Sequence, residues 1–480
     1  MSSPAVLDAC TAAPPPRCAG SPRARHLYFK LMSDPGAAAV AAQDFLREQI
    51  DAVRDIPADL PDNPAALAAW MRDRVGAVGL QYRDYLAGRK NGAARRYFGS
   101  RAHALYFLKG VAPTKLVDGA WLYGLLRQWA NPDVRPLIRT YLEELGDGVP
   151  GKNHVTLYRQ LLATHGCEGW EQLPAHHFVQ GAIQLALAHN AEQFLPEIVG
   201  YNLGYEQLPL HLLVSAYELN ELGIDPYYFT LHVTVDNAAS GHAHKAVQAL
   251  ERLLPQVGDR AAFWRRVLDG YRLNEPGAST TSVIAEFDLT DELVRILAAK
   301  STVGRNLHSD YCRVAGRPVN DWLSDPARIP AFLAALQSAG WISRGEDPGN
   351  SRFWRLVSGE RAEMFGVFTA YELEVLHDWI ADGQGQASRR VLSHRARQRT
   401  LDNLGQQETR GRQPERGLIR RHAHADEGTD NELRVLEQRI AEAANKQEAM
   451  EALRELMGPA LHHTAPGLMA TRMFARLLDA

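Results

Sequence analysis

The chain has 480 residues, 45% hydrophobic and 23% charged, ordinary values for a folded protein of roughly two or three domains. Its net charge of −3 gives no overall electrostatic pull toward nucleic acid or acidic membranes. The four cysteines, Cys10, Cys18, Cys167 and Cys312, form no C-x-x-C pair, which argues against a disulfide framework or a structural zinc site and suits a reducing cytoplasm.

Residues 1–36 are rich in Ala, Pro and Ser and lack an apolar h-region, so they read as a disordered lead rather than a signal peptide. Residues 37–265 carry helical periodicity almost throughout, as in Phe45, Ile50 and Val53 and again in Leu67, Trp70, Met71 and Val75. Further helical patterns cover Leu137–Leu145, His154–Thr164, His177–Ala188, Phe194–Leu203, Leu210–Leu222 and Tyr228–Leu254. Alternating β-type runs are nearly absent, so this part reads as all-α. Residues 266–382 read as a smaller α+β appendage. Trp341-Ile342-Ser343 and Phe353–Val357 flank the turn cluster Asp347-Pro348-Gly349-Asn350, the outline of a winged-helix hairpin. Thr369-x-x-Glu372 is a capping box opening a helix. Residues 383–430 read as an arginine-rich linker. In residues 431–480, Asn431–Leu456 predicts a charged amphipathic helix and Leu468–Leu478 a second one. No apolar run approaches the ~20 residues of a membrane span.

No phosphate-cradling G-x-x-x-x-G-K-[ST], Rossmann G-x-G-x-x-G, H-E-x-x-H or G-x-S-x-G occurs, so nucleotide and serine-hydrolase chemistry lose their usual supports. A helical bundle then most readily holds a metal through inward-facing histidines and carboxylates. His232 and Asp236 are four apart and share a helix face amid Val233, Val235 and Ala238. A lone pair of this kind is more often a surface ion pair or a core histidine held by a carboxylate, but here the surroundings are apolar and His242 and His244 follow closely. Glu144 and His154 flank a glycine- and proline-rich break; by themselves, Glu143 and Glu144 read as solvated. Glu197 and Glu206 are nine apart, so at most one of them points inward, and Gly200 and Gly204 would allow a close helix approach beside them.

Together these residues resemble the haem-oxygenase-like di-iron oxidase and oxygenase family, also labelled iron-containing redox enzymes. The resemblance covers about residues 85–260. It implies a helical bundle that binds iron directly, without haem. Within the family pattern, Glu144 fits an E-E-x-G segment with His154 downstream. Glu206 fits the middle-helix carboxylate, with Glu197 in reserve, and His232 and Asp236 open an H-x-x-x-[DE]-x-x-H motif. Ala239 stands where that motif ends in histidine. His242, the nearest replacement, lies about 100° off the His232/Asp236 face of an ideal helix unless Ser240-Gly241 distorts it. The segment Ala112–Leu122 also looks family-like but shows no obvious ligand.

The metal ligands implied are therefore Glu144, His154, Glu206, His232, Asp236 and His242, holding two Fe(II) per chain with O2 as co-substrate. The implied reactions are desaturation, oxidative C–C cleavage or N-oxygenation of a small amino-acid, amine or fatty-acid-like substrate. Tyr201, Tyr205 and Tyr228 are pocket candidates, though any one of them reads more readily as an ordinary core aromatic with one hydrogen bond. A homodimeric copy and an external electron donor are compatible partners. Two other readings compete. One is a nucleic-acid-binding regulator using the winged-helix-like region and Arg389–Arg421, which the lack of interleaved aromatics disfavours. The other is a metal-free helical scaffold.

Overall fold

Short polar residues before proline or an apolar run mark the helix starts in this chain. Asp34, Ser100 and Asn153 each accept a backbone N–H at the head of a helix. A computed structural model describes residues 22–61, 63–235, 241–383 and 423–480. In chain order the helices are α1 (Pro22–Ser33), α2 (Pro35–Val53), α3 (Leu67–Lys90), α4 (Arg101–Gly110), α5 (Ala112–Lys115), α6 (Arg135–Glu144) and α7 (His154–His165). There follow α8 (Val179–His189), α9 (Leu195–Tyr205), α10 (Leu210–Glu221), α11 (Tyr227–Val235), α12 (His242–Leu253) and α13 (Arg260–Arg272). Beyond them lie α14 (Thr280–Ala285), α15 (Leu289–Gly304), α16 (Val319–Leu323), α17 (Ile329–Ser338), α18 (Arg352–Val357) and α19 (Ala370–Ala381). The last helices are Ala423–Ala441, Lys446–Leu456 and Ala465–Asp479. Among the described residues the sheet is a single antiparallel pair, Arg313–Val314 against Arg317–Pro318.

Two apolar cores form. The first gathers α1, α2, α6, α8, α9, α12, α13 and the last helices, with Trp121, Tyr141, Phe178 and Phe474 at its centre. The second joins α4, α7, α10 and α11 to α14–α19 through Phe107, Tyr158, Phe229, Leu293, Leu333 and Trp379. Each fully buried Leu or Phe contributes about 1.5–3 kcal/mol, so both cores are substantial. α6 belongs to the first and α7 to the second, and the turn between them lies on the seam.

Several sequence expectations change here. Residues 22–33 are not part of a disordered lead. Leu27, Tyr28 and Leu31 form an apolar stripe that α1 buries, and Tyr28 meets Phe178 edge-on at 5.4 Å. Residues 1–21 lie outside those described. The boundary at 265 falls inside α13, which packs along α9. There, a Cβ on Gly200 would come within 1.9 Å of the Val267 carbonyl oxygen, so the glycine is what permits the approach. Residues 266–382 are no separate appendage, since they share the second core with α4 and α7. The winged-helix hairpin is absent. Phe353–Val357 is helical, with Phe353 and Val357 buried one turn apart, because a short apolar run fits either period and burial decided for the helix. The single helix expected over Asn431–Leu456 breaks before Asn445, which caps its second half. Of the arginine-rich linker, residues 384–422 lie outside those described, whereas 423–430 open a helix. The Thr369/Glu372 capping box is formed as read. Among the described residues, no helix is long and apolar enough to cross a membrane.

Candidate metal centre

Asn153 fixes the start of α7 and with it His154. Its Oδ1 accepts from Thr156 N at 2.9 Å, while its Nδ2 donates to the Leu145 carbonyl at 3.2 Å and to His462 Nδ1 at 3.1 Å. Glu144 ends α6, eight residues of turn away from Asn153 in sequence yet tied back to it through Leu145. Asp118 lies in the turn after α5, followed by Gly119 with φ of 78°. A Cβ on Gly119 would fall 2.8 Å from the Glu144 Cβ, so glycine alone lets this turn close against α6. Glu206 caps the C-terminus of α9, His232 projects from α11 and His242 opens α12.

These side chains form two groups that share one residue. Asp118, Glu144, His154 and His232 make the first, and Glu144, Glu206 and His242 the second, all of them buried. Glu144 turns one carboxylate oxygen to each group: Oε2 lies 2.5 Å from His154 Nδ1 and Oε1 lies 3.1 Å from His242 Nδ1. Asp118 Oδ2 stands 3.2 Å from His232 Nε2 and 3.6 Å from His154 Nδ1, and Glu206 Oε2 stands 3.1 Å from His242 Nδ1.

Several of these contacts fit converging ligands better than ordinary hydrogen bonds. Both ring nitrogens of His154 are buried without a partner in hydrogen-bond geometry, despite the close Glu144 oxygen. Buried polar nitrogens of this kind call for an explanation, and a cation between them and the carboxylates supplies one. His232 Nδ1 donates to the Tyr228 carbonyl at 2.8 Å. A carbonyl only accepts, so Nδ1 carries a proton and Nε2 is the atom turned to Asp118, the orientation of a metal-ligating histidine. His242 is arranged likewise. Its Nδ1 faces Glu144 and Glu206, and its Nε2 is 2.9 Å from Glu143 Oε2, whose other oxygen pairs with Lys245.

The surrounding hydroxyls secure Asp118. Tyr228 donates to Oδ2 at 2.6 Å and Tyr205 to Oδ1 at 2.8 Å, and Lys115 donates to the Tyr205 hydroxyl at 2.9 Å. Burial by itself would raise the Asp118 carboxyl, but Lys115, His154 and His232 hold it well below the usual carboxylate range. Burial likewise opposes the charged forms of Glu144 and His154, yet their mutual attraction holds the acid low and the imidazole high. Asp118 and Glu144 are thus kept ionised by neighbouring cationic groups, a balance that a metal cation could take over.

Of the six ligands expected from the sequence, Glu144, His154, Glu206, His232 and His242 come together, and Asp236 lies outside the described residues. His242 needs no distortion of a continuous helix. α11 ends at Val235, and α12 begins at His242 after the extended Gly241. Glu197 turns away and pairs with Arg266 at 2.6 Å, and His244 meets Gln248 at 2.9 Å. Tyr205 and Tyr228 serve the centre, whereas Tyr201 donates to Gln180 at 3.0 Å in the core. Asp118 was missed in a segment judged to carry no ligand, and Glu143 was read as solvated. The signal for Asp118 was a lone acid in the apolar run Leu116–Leu122, which must find partners if the run is buried.

Residues 105–275, the stretch that carries every one of these donors, match the model of a family described as iron-containing redox enzymes. No curated protein and no solved structure matches the chain.

Proposed function

We propose that this chain, whose residues 105–275 match the iron-containing redox enzyme family, is a non-haem, O2-dependent oxidoreductase with two iron positions. The observation that carries the reading is Glu144, a buried carboxylate presenting one oxygen to the Asp118/His154/His232 group and the other to the Glu206/His242 group. A carboxylate with one oxygen in each donor group could serve both metal positions, and imidazole with carboxylate donors and no thiolate suits iron.

Iron bound here would supply O2 activation and the oxidation of a nearby substrate. The protein's part follows from its own geometry. Tyr205 and Tyr228 hold Asp118 in one orientation through charge-assisted hydrogen bonds. The Tyr228 carbonyl sets the His232 tautomer, and Glu143 does the same for His242. Burial of every first-group donor excludes water from that side. The substrate class we favour is a small amino acid, amine or fatty-acid-like molecule, read from family resemblance rather than from a pocket.

Anaerobic Fe(II) loading followed by metal analysis and Mössbauer spectroscopy tests the proposal. Close to two irons per chain are expected, with a spectrum that changes on exposure to O2. Less than one iron per chain in the wild type, unchanged by Glu144→Ala, would falsify it.

A further inference from the structure

A second cluster of ligand-type side chains lies away from this centre, where the bundle meets α14. His176 and His177 sit on the short turn of helix leading into α8, and Glu286 caps the C-terminus of α14. One ligand atom from each lies within 4.8 Å of the other two. His176 Nε2 is 3.0 Å from Glu286 Oε1, and His177 Nε2 is 3.4 Å from Oε2, so each ring faces its own carboxylate oxygen.

The hydrogen bonding of His177 gives the cluster its direction. Its Nδ1 donates to the Gly110 carbonyl at 2.8 Å from a side chain only 1% exposed. That bond spends the proton of the neutral ring, so Nε2 presents a lone pair to a carboxylate oxygen. Two acceptors facing each other repel unless a second proton or a cation lies between them. A ring nitrogen tied to a backbone carbonyl, with its opposite nitrogen aimed at a carboxylate, is also the outer-shell pattern of metal-bound histidine.

The scaffold is rigid. A Cβ on Gly110 would come within 2.4 Å of Val283 Cγ1 and 3.6 Å of His177 Cε1, and Ala278 N donates to the His176 carbonyl at 3.2 Å. The elements bearing the three donors are therefore locked together before any ion arrives, as a preorganised site requires. His176 and Glu286 remain about one-third exposed, leaving a side open to water and to an entering ion.

We propose that His176, His177 and Glu286 bind one divalent transition-metal cation of the zinc class, clipping the start of α8 to the end of α14. Two imidazoles and a carboxylate with an open fourth position are a zinc donor set, whereas calcium and magnesium favour all-oxygen shells. The clip joins the family-matched bundle to the segment that follows it and does not depend on the iron reading.

Zinc titration of the chelator-stripped full chain, in competition with a chromophoric chelator, tests it alongside His176→Asn and Glu286→Gln. Each variant is expected to bind one fewer tight zinc per chain than wild type, while its iron content after anaerobic loading stays that of wild type. Comparing variants with wild type keeps the result independent of any zinc taken by the bundle centre. Zinc uptake equal to wild type in either variant would overturn the proposal and leave a protonated-histidine ion pair. Loss of iron together with zinc would overturn it as well, by showing that the cluster only supports the fold.

Discussion

On the Asp118 side of the centre, two tyrosine hydroxyls grip the carboxylate, a backbone carbonyl fixes His232, and all four donors are buried. On the His242 side, the orienting carboxylate is Glu143, whose side chain is 33% exposed and steadied by Lys245 from the next turn of α12. The first side is shaped before metal arrives; the second is completed by a group in contact with solvent. A metal position built from locked donors binds more tightly and changes less during turnover. Partly exposed Glu143 and Lys245 give the His242 side a contact with solvent that the Asp118 side lacks.

Glu144→Ala attacks what the two sides share, so it has the largest effect. Iron after anaerobic loading should fall from about two per chain to near none, by metal analysis. An iron count still near two would show that the sides are independent. Asp118→Ala should empty only its own side and leave about one iron, with a single Mössbauer component. Retention of both irons would show that the tyrosine-bound carboxylate is structural. Glu143→Ala should spare the Asp118 side and weaken the His242 side about 10–100-fold, the usual scale for an outer-shell partner. The check is an Fe(II) binding isotherm, where one weakened step of two is expected, and equal weakening of both would abolish the asymmetry.

The last effect concerns acid. Burial pushes His462, which props Asn153 beneath the Asp118 side, down to about 3, and pushes His189 and His211 down to about 4. Below their ordinary value of 6.5 the unfolded chain therefore binds more protons than the folded one. Folding stability contributed by these groups is complete above pH 6.5 and drains away as the pH falls toward 4, by up to about 1.4 kcal/mol per pH unit for each fully buried ring. Denaturation midpoints of the metal-free chain at pH 7 and pH 5 measure it. Identical midpoints would mean that the rings take up protons without cost.

Much of this arrangement was legible in the residues. Helical periodicity placed α6–α10, but the spacing of Glu197 and Glu206 misled in part: both are buried, Glu206 at the centre and Glu197 against Arg266. Gly241, anticipated as part of the place where the chain could swing His242 in, is extended just before α12. Asp118 was hidden because Asp-Gly is the commonest signature of a surface turn, and here the turn is buried. Glu143 was hidden because a carboxylate at a helix end is usually solvated, and only the fold shows His242 from α12 beside it. The hairpin that became α18 failed for a third reason: a short apolar run carries no period long enough to choose between strand and helix.

The turn between α6 and α7 is clamped from far along the chain. Tyr141 donates to the Met457 carbonyl at 2.6 Å, Asn153 holds His462, and Arg472 donates to the Gly148 carbonyl at 3.0 Å. On a ribosome, the donors from Asp118 to His242 emerge tens of seconds before residues 457–472 do. Throughout that interval the turn between Glu144 and His154 lacks the segment that braces it from outside. The nascent chain thus carries all the candidate ligands before the turn between two of them is fully braced. A fragment ending before residue 457 would keep all the donors and lose three contacts that brace the turn between them, and weaker iron uptake by such a fragment than by the full chain is expected.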